Sequence, residues 1–232
     1  MITMASKGST RHIKSLATSK FAAIERKAHG KYMMKPAAGR HSLDKSLPLS
    51  IILTKTASVD TMGDARRSIH AGQVTVNGKV VREVKYPVGL NDVVSVVPSD
   101  KHTHVGINGR GQITLIDAKK AEASKRVCKV VGKYKSAKNQ IMIRLHDGTN
   151  LRHKGEVNVN DSVVLGAKNA VEKVLPLKKG SSCLVVDGVH VGSSGKIVEI
   201  KAGNMHKSAS AVIASGESSN FETLVKNLMV IS

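Results

Sequence analysis

Apolar positions change period along this chain, and each change marks an element. After Leu47-Pro48, the residues Leu49, Ile52 and Leu53 recur at helical spacing and predict an apolar helix with proline near its first turn. A second helix is predicted from Asp64 to Ala71, with Asp64 capping its start, Gly72 supplying the left-handed stop, and Thr61-Met62-Gly63 forming the loop before it. The period then drops to two. Val74 and Val76 alternate with polar residues, and Asn77-Gly78 is a strong hairpin signal, because both central residues of that turn need positive φ. Val93 to Val97 follows as a strand behind Gly89-Leu90-Asn91-Asp92. Together these make a small helix-helix-hairpin unit, assigned to residues 43–102.

Farther on, strands are predicted at Gln112–Ile116, Val127–Val131, Gln140–Leu145 and Ser162–Leu165, with a turn at Asp147-Gly148 and a short helix between Ala118 and Arg126. Residues 103–174 thus read as a central β domain. Lys129, Lys133, Lys135 and Lys138 gather in and around a hairpin tip at Ser136 to Asn139, where a cationic tip can meet phosphates or simply stay solvated. Val88-Gly89-Leu90-Asn91-Asp92 and Val157-Asn158-Val159-Asn160-Asp161 each place Asn-Asp before a Val-rich strand and read as turn devices. Residues 175–232 form a last unit: an apolar strand at Ser182 to Val186, then Gly188, Gly192 and Gly195 ahead of an alternating strand ending at Ile200. Glycines so placed let another backbone approach, a sugar-phosphate one included, with His190 and Lys196 as the contacts. A nucleotide-hydrolase phosphate loop is excluded: its first glycine would fall on His190, and Ile197 follows the lysine.

Composition adds a partner class. Thirty-seven Lys and Arg against 17 Asp and Glu give a formal charge of +20, a field that attracts nucleic acid. With no Trp, two Phe and three Tyr, domains that read single strands chiefly by stacking bases on aromatic rings are poorly supported, which favours folded RNA as the target. Between Lys7 and Arg40 the only acid is Glu25, so residues 1–42 read as a basic arm with too little apolar content for a core, ordering on a polyanion. No apolar run is long enough to span a bilayer, and no secretory core follows Met1, so a cytoplasmic location is expected. Cys128 and Cys183 lack metal-site spacing and read as core residues; His102-Thr103-His104 has no carboxylate or thiol neighbour to complete a metal site.

Two motifs converge on a family. Ala65 to Val81, with Gly89 and Asp92-Val93-Val94, resembles the RNA-binding domain named after bacterial ribosomal protein S-four, and Gly188 to Ile200 resembles a KOW motif. Their order, with Arg11-His12-Ile13-Lys14, Pro36-x-x-Gly39-x-His41, Leu47-Pro48-Leu49, Val127-Cys128-Lys129-Val130, His146-Asp147 and Phe221 to Ile231, resembles the S-four-e family of archaeal and eukaryotic small ribosomal subunits. The C-terminal extension of eukaryotic members is missing, which points to the archaeal branch. The resemblance implies an α+β fold: basic N-terminal arm, small helix-helix-hairpin RNA-binding domain, central β domain, and C-terminal SH3-like β-barrel with the KOW motif. It implies a structural protein of the small subunit body that contacts the 5′ region of small-subunit rRNA and neighbouring ribosomal proteins, without catalysis, cofactor, metal, membrane, small-molecule substrate or homo-oligomer. The residues expected to bind rRNA are Lys7, Arg11, His12, Lys14, Arg40, His41, Arg66, Arg67, Gln73, Lys79, Lys133, Lys135, Lys138, His190 and Lys196. Two alternatives stay open: an RNA-modifying enzyme carrying the same small domain, and a KOW-type transcription or translation factor.

Overall fold

In the computed structural model, residues 12–22, 31–56, 58–120, 125–136, 140–153, 155–166, 169–215 and 220–231 are described. Part of the arm carries regular structure. His12–Lys14 (β1) pairs antiparallel with Tyr32–Met34 (β2), Ile13 opposite Met33. Met33 and Ala22 are buried, and Ala22 and Phe21 pack on the core of the unit that follows. The arm expected to lack a core of its own lends its few apolar side chains to a core contributed by residues farther along.

Ser46–Pro48 forms a short strand (β3), and Pro48 serves as the N-cap of the first helix, Leu49–Lys55 (α1). The second helix, Met62–His70 (α2), starts two residues before the predicted cap. Thr61 holds that place instead, its Oγ1 accepting from the Asp64 N–H at 3.2 Å. Leu49, Ile52 and Leu53 are buried against Ala65 and Ile69, as the spacing predicts. After Gly72 (φ +75°), Val74–Val76 (β4) and Lys79–Val80 (β5) are joined by Asn77 (φ 51°) and Gly78 (φ +75°), both left-handed as that hairpin turn requires. Pro87–Gly89 (β6) returns to pair with β3. Val93–Val96 (β7), Lys101–Ile107 (β8) and Ile113–Asp117 (β9) complete an antiparallel sheet of order β5-β4-β7-β8-β9. The expected boundary between residues 102 and 103 therefore falls inside β8. The turn at Asp100 (φ 45°) makes a hairpin rather than a linker, and Val105 and Ile113 fill the first core.

Arg126–Lys135 (β10), Ile141–Leu145 (β11), Asn150–Arg152 (β12), Ser162–Leu165 (β13) and Val171–Leu175 (β14) form a second antiparallel sheet, ordered β12-β11-β10-β13-β14. Ser182–Val185 (β15), Ser194–Lys201 (β16), Ser210–Ala214 (β17), Asn220–Leu224 (β18) and Leu228–Val230 (β19) form a third, ordered β18-β17-β16-β15-β19. Each of these two sheets has its own buried cluster, with Cys128 in one and Cys183 in the other. The predicted helix between Ala118 and Arg126 falls mostly on residues outside those described.

One turn opens a strand in all three units. Asn91 (φ 62°), Asn160 (φ 75°) and Gly192 (φ +79°) each take the left-handed position, and the next residue closes the turn by donating to Gly89, Asn158 and His190 carbonyls at 3.3, 3.3 and 3.2 Å. In the first two, the following aspartate also accepts from the backbone N–H three residues back, Asp92 from Gly89 and Asp161 from Asn158. The facing residue, Val105, Val130 or Val185, then exchanges both backbone hydrogen bonds with the turn. The two Asn-Asp segments are thus the turn devices their sequence indicates.

Candidate nucleic-acid interface

Ala65 and Ile69 fill the inward positions of α2, which leaves Arg66, Arg67 and His70 outward. Arg67 is 83% exposed although its guanidinium reaches Asp64 at 3.0 Å, an exposed pair of little energetic weight. Gln73 and Lys79 are exposed just beyond, on β4's approach and on β5. The helix stop and the tight hairpin therefore carry Arg66, Arg67, Gln73 and Lys79 on one short stretch of chain. Arg82, absent from the expected set, joins them: a Cβ built on Gly72 would lie 3.4 Å from its Nε, so its side chain crosses the helix stop. The signal for it was weak, an isolated cation after an extended segment.

Elsewhere the expected residues are dispersed. Lys14 is exposed on β1, Lys133 and Lys135 are exposed on β10, and Lys196 is exposed on β16. His190 is exposed, with its ring stacked on Phe221 at 4.5 Å between centroids. Lys7, Arg11 and Lys138 lie outside the described residues, as does the side chain of His12. The glycine loop also meets a backbone of its own chain: a Cβ at Gly192 would overlap the Asn108 carbonyl, and one at Gly111 would press on Val191. The backbone brought close at Gly192 belongs to the β8–β9 hairpin rather than to RNA.

Arg40 and His41 require correction, because both are consumed inside the protein. His41, with a side chain 4% exposed, places Nε2 2.7 Å from Asp92 Oδ2. Arg40 donates to Asp147 and, at 2.7 Å, to Thr149 Oγ1. His41 has no exposed face for a phosphate, and Arg40, 23% exposed at its side chain, commits Nη2 to Asp147 and Thr149. They belong to a buried polar seam in which Arg126 reaches Asp147 Oδ2 at 2.7 Å, Asn169 Oδ1 at 2.7 Å and Asp92 Oδ1 at 3.7 Å. Asn77 donates to Asp92 at 2.7 Å, and Asn91 donates across to the Val127 carbonyl at 2.8 Å. Burial pushes the Asp92 carboxyl up, but hydrogen bonds from His41, Asn77 and the Gly89 N–H outweigh it and hold the group below its usual range. Burial likewise opposes ionisation of Asp147, and Arg40, Thr149 and Arg126 pull it well below that range.

A second set of bonds ties in the last unit. Lys129, buried on β10, donates from Nζ to the Val225 and Lys226 carbonyls at 2.9 and 2.8 Å, and burial lowers its pKa to about 8. The Val230 N–H donates to Ser162 Oγ at 3.0 Å, and Lys45 pairs with Asp187 at 2.7 Å. The consequence is mechanical. Three units that each bury their own core are locked together by charges and hydrogen bonds, which fixes the spacing of the exposed lysines and arginines before any partner arrives.

Comparison with known proteins agrees with this architecture. The S4 domain family matches residues 48–94, and Ribosomal family S4e matches residues 99–170. A small ribosomal subunit protein eS4 from Methanothermobacter thermautotrophicus is 33% identical over 230 residues, covering 98% of this chain and 95% of that protein. Its counterpart from Methanocella arvoryzae is 31% identical over 222 residues, covering 95% and 93%. The crystal structure of the 30S ribosomal protein S4e from Thermoplasma acidophilum superposes with a TM-score of 0.67 at 24% identity, over 81% of this chain and 94% of that one, a likeness of fold. With relatives this similar matched along nearly their whole length, the chain belongs to the small ribosomal subunit protein eS4 family.

Proposed function

We propose that this protein is a structural, non-catalytic constituent of an archaeal-type small ribosomal subunit, bound to small-subunit rRNA on the subunit body in its 5′ region and supporting assembly and translation. The observation that carries the reading is family membership along essentially the whole chain. The physical properties support it: a charge of +20 supplies affinity for phosphate, and the α2–β5 stretch offers Arg66, Arg67, Gln73, Lys79 and Arg82 on a rigid turn. Lys14, Lys133, Lys135 and Lys196 extend the contact to the other units, with Lys7, Arg11, His12 and Lys138 added from the sequence and His190 through the edge of its stacked ring. We read the third sheet as an SH3-like barrel carrying a KOW motif, which its all-antiparallel order and the glycine-led β16 support. The protein acts as a single copy in the cytoplasm, against rRNA and neighbouring ribosomal proteins, and needs no cofactor.

Sedimentation of a tagged copy through a sucrose gradient, before and after a high-salt wash, tests this directly. Co-migration with small subunits after the wash is expected. A peak at the top of the gradient would overturn the reading in favour of an RNA-modifying enzyme or a KOW-type factor.

A further inference from the structure

Where the arm and the three units meet, they enclose a partly open cavity of about 650 Å³, a size typical of small-ligand sites. Its walls are apolar and come from separate elements: Phe21 from the arm, Leu90 from the first turn device, Val131 at the β10 bulge and Val159 from the second turn device. Two of its polar side chains are unspent. The side-chain carboxamides of Asn160 and Asn227 line it, and neither makes a side-chain hydrogen bond among the described residues. Both are partly exposed, so the cavity leaves them able to donate and accept.

The charge of the cavity is one-sided. Lys45, Lys129 and Lys226 line it against a single carboxylate, Asp187, which Lys45 already neutralises at 2.7 Å. Lys129 spends two of its three donors on the Val225 and Lys226 carbonyls and has no carboxylate partner among the described residues. An ammonium buried without a counter-ion gains from any electron-rich group that enters, and its lowered pKa reflects that unmet need. Apolar walls with an aromatic ring suit the faces of a base, free carboxamides suit its edge, and rim lysines suit its phosphate. Sequence-specific RNA recognition relies on unpaired bases splayed out and held in this manner.

We propose that the junction cavity takes one unpaired nucleotide of the RNA, a specific anchor added to the phosphate contacts of the outer surface. The inference rests on the rRNA-binding reading above, and the cavity's lining is drawn from the arm and all three units, which the seam holds together. It also gives the second turn device a role beyond topology, since Val159 and Asn160 are contributed by that turn.

Zero-length ultraviolet cross-linking of isolated small subunits, followed by mass spectrometry of the protein's peptides, tests it. A nucleotide adduct is expected on Phe21, Val131, Val159 or Asn160. Val159→Glu, at a residue 48% exposed, puts a negative charge at the cavity's open side where a phosphate would enter; sedimentation with the subunit should persist while the adduct yield falls about tenfold. Asn160→Gly removes only the carboxamide, because glycine adopts the φ of 75° freely, and should also lower the yield. Adducts confined to α2, β4 and β5 overturn the cavity inference and leave rRNA binding standing. A neighbouring protein's side chain cross-linked into the cavity overturns it as well. Failure of the wild-type protein to sediment with small subunits overturns the proposed function and the inference together.

Discussion

Arg126 and Asp147 form a buried ion pair in the molecule's polar seam, with Nη1 2.7 Å from Oδ2 and side chains only 5% and 1% exposed. Asp147 is shared, since Arg40 donates to the same oxygen. One carboxylate thus compensates two guanidiniums, one on β10 and one from the segment leading into β3. Asp147→Ala removes the carboxylate they share, leaving Arg126 with Asn169 and the more distant Asp92 and Arg40 with Thr149, and is expected to destabilise the fold by about 3–5 kcal/mol, whereas Asp147→Asn, which keeps an acceptor for the Thr149 N–H, should lose less. Urea unfolding with a constant slope measures the difference; an unshifted midpoint for the alanine variant would mean that the seam contributes nothing.

Acid should weaken the same seam. Asp92 and Asp147 are held below their usual values in the folded state, so the unfolded chain binds protons more readily than the folded one as pH falls. Their contribution is therefore complete above the ordinary aspartate value of 3.8 and is lost as pH drops below it toward the depressed folded values. Thermal melts across that range should show a loss of stability that Asp147→Asn shares only in part. Equal acid sensitivity in both proteins would assign the loss to other carboxylates.

Lys129 carries the opposite sign. Burial lowers its pKa from 10.5 to about 8, so between those values the unfolded chain holds a proton that the folded protein does not. Stability then rises with pH across that window. Lys129→Met removes the titrating group, and the gap in unfolding free energy between wild type and variant should shift toward wild type as pH increases from about 8 to about 10.5. A pH-independent gap would contradict the assignment.

Gly89 is held small by a neighbour. A Cβ there would lie 2.5 Å from His41 Nδ1, and the ring cannot withdraw without giving up Asp92. Gly89→Ala is expected to destabilise by about 1–3 kcal/mol through overpacking. His41→Ala opens the space at the expense of its hydrogen bond, so the double variant should be less destabilised than the sum of the two singles. Strict additivity in a double-mutant cycle would show that the two residues do not press on each other.

What the sequence made legible was local. Asn77-Gly78, the two Asn-Asp turns and the burial of Leu49, Ile52 and Leu53 all depend on residues within one or two turns of chain, and each stands where the pattern placed it. The seam was illegible for the converse reason. His41 and Asp92 are 51 residues apart, and Arg40 and Asp147 are 107 apart. A cation in a basic arm looks like a phosphate contact until the fold supplies a buried carboxylate. Asn77 shows both sides: its turn was readable, yet its side chain also donates to Asp92 and accepts from the Val93 N–H, neither of which a dipeptide signal encodes. The 102/103 boundary failed similarly, because a hairpin at Asp100 and a linker share the same polar residues, and the ladder between β7 and β8 alone separates them.

That division between structural and exposed cations makes the RNA interface testable residue by residue. Arg66, Arg67, Lys79 and Arg82 are solvent-facing and, apart from the Arg67–Asp64 contact, form no ion pair among the described residues, so single alanine substitutions should leave the melting temperature nearly unchanged. If each neutralises one phosphate, each substitution should weaken binding to a small-subunit rRNA fragment and reduce the slope of log affinity against log salt by about 1. For the whole surface, contact with six to ten phosphates corresponds to a loss of about three to five powers of ten in affinity between roughly 50 and 200 mM salt on the duplex-DNA scale. Arg40→Ala should behave in the opposite way, lowering the melting temperature while leaving the salt slope of the folded fraction intact, because its charge is spent on Asp147. Filter binding over a salt series, paired with a melt of each variant, separates the classes. A slope change for Arg40→Ala, or none for Arg66→Ala and Lys79→Ala, would place the RNA on a different face of the protein.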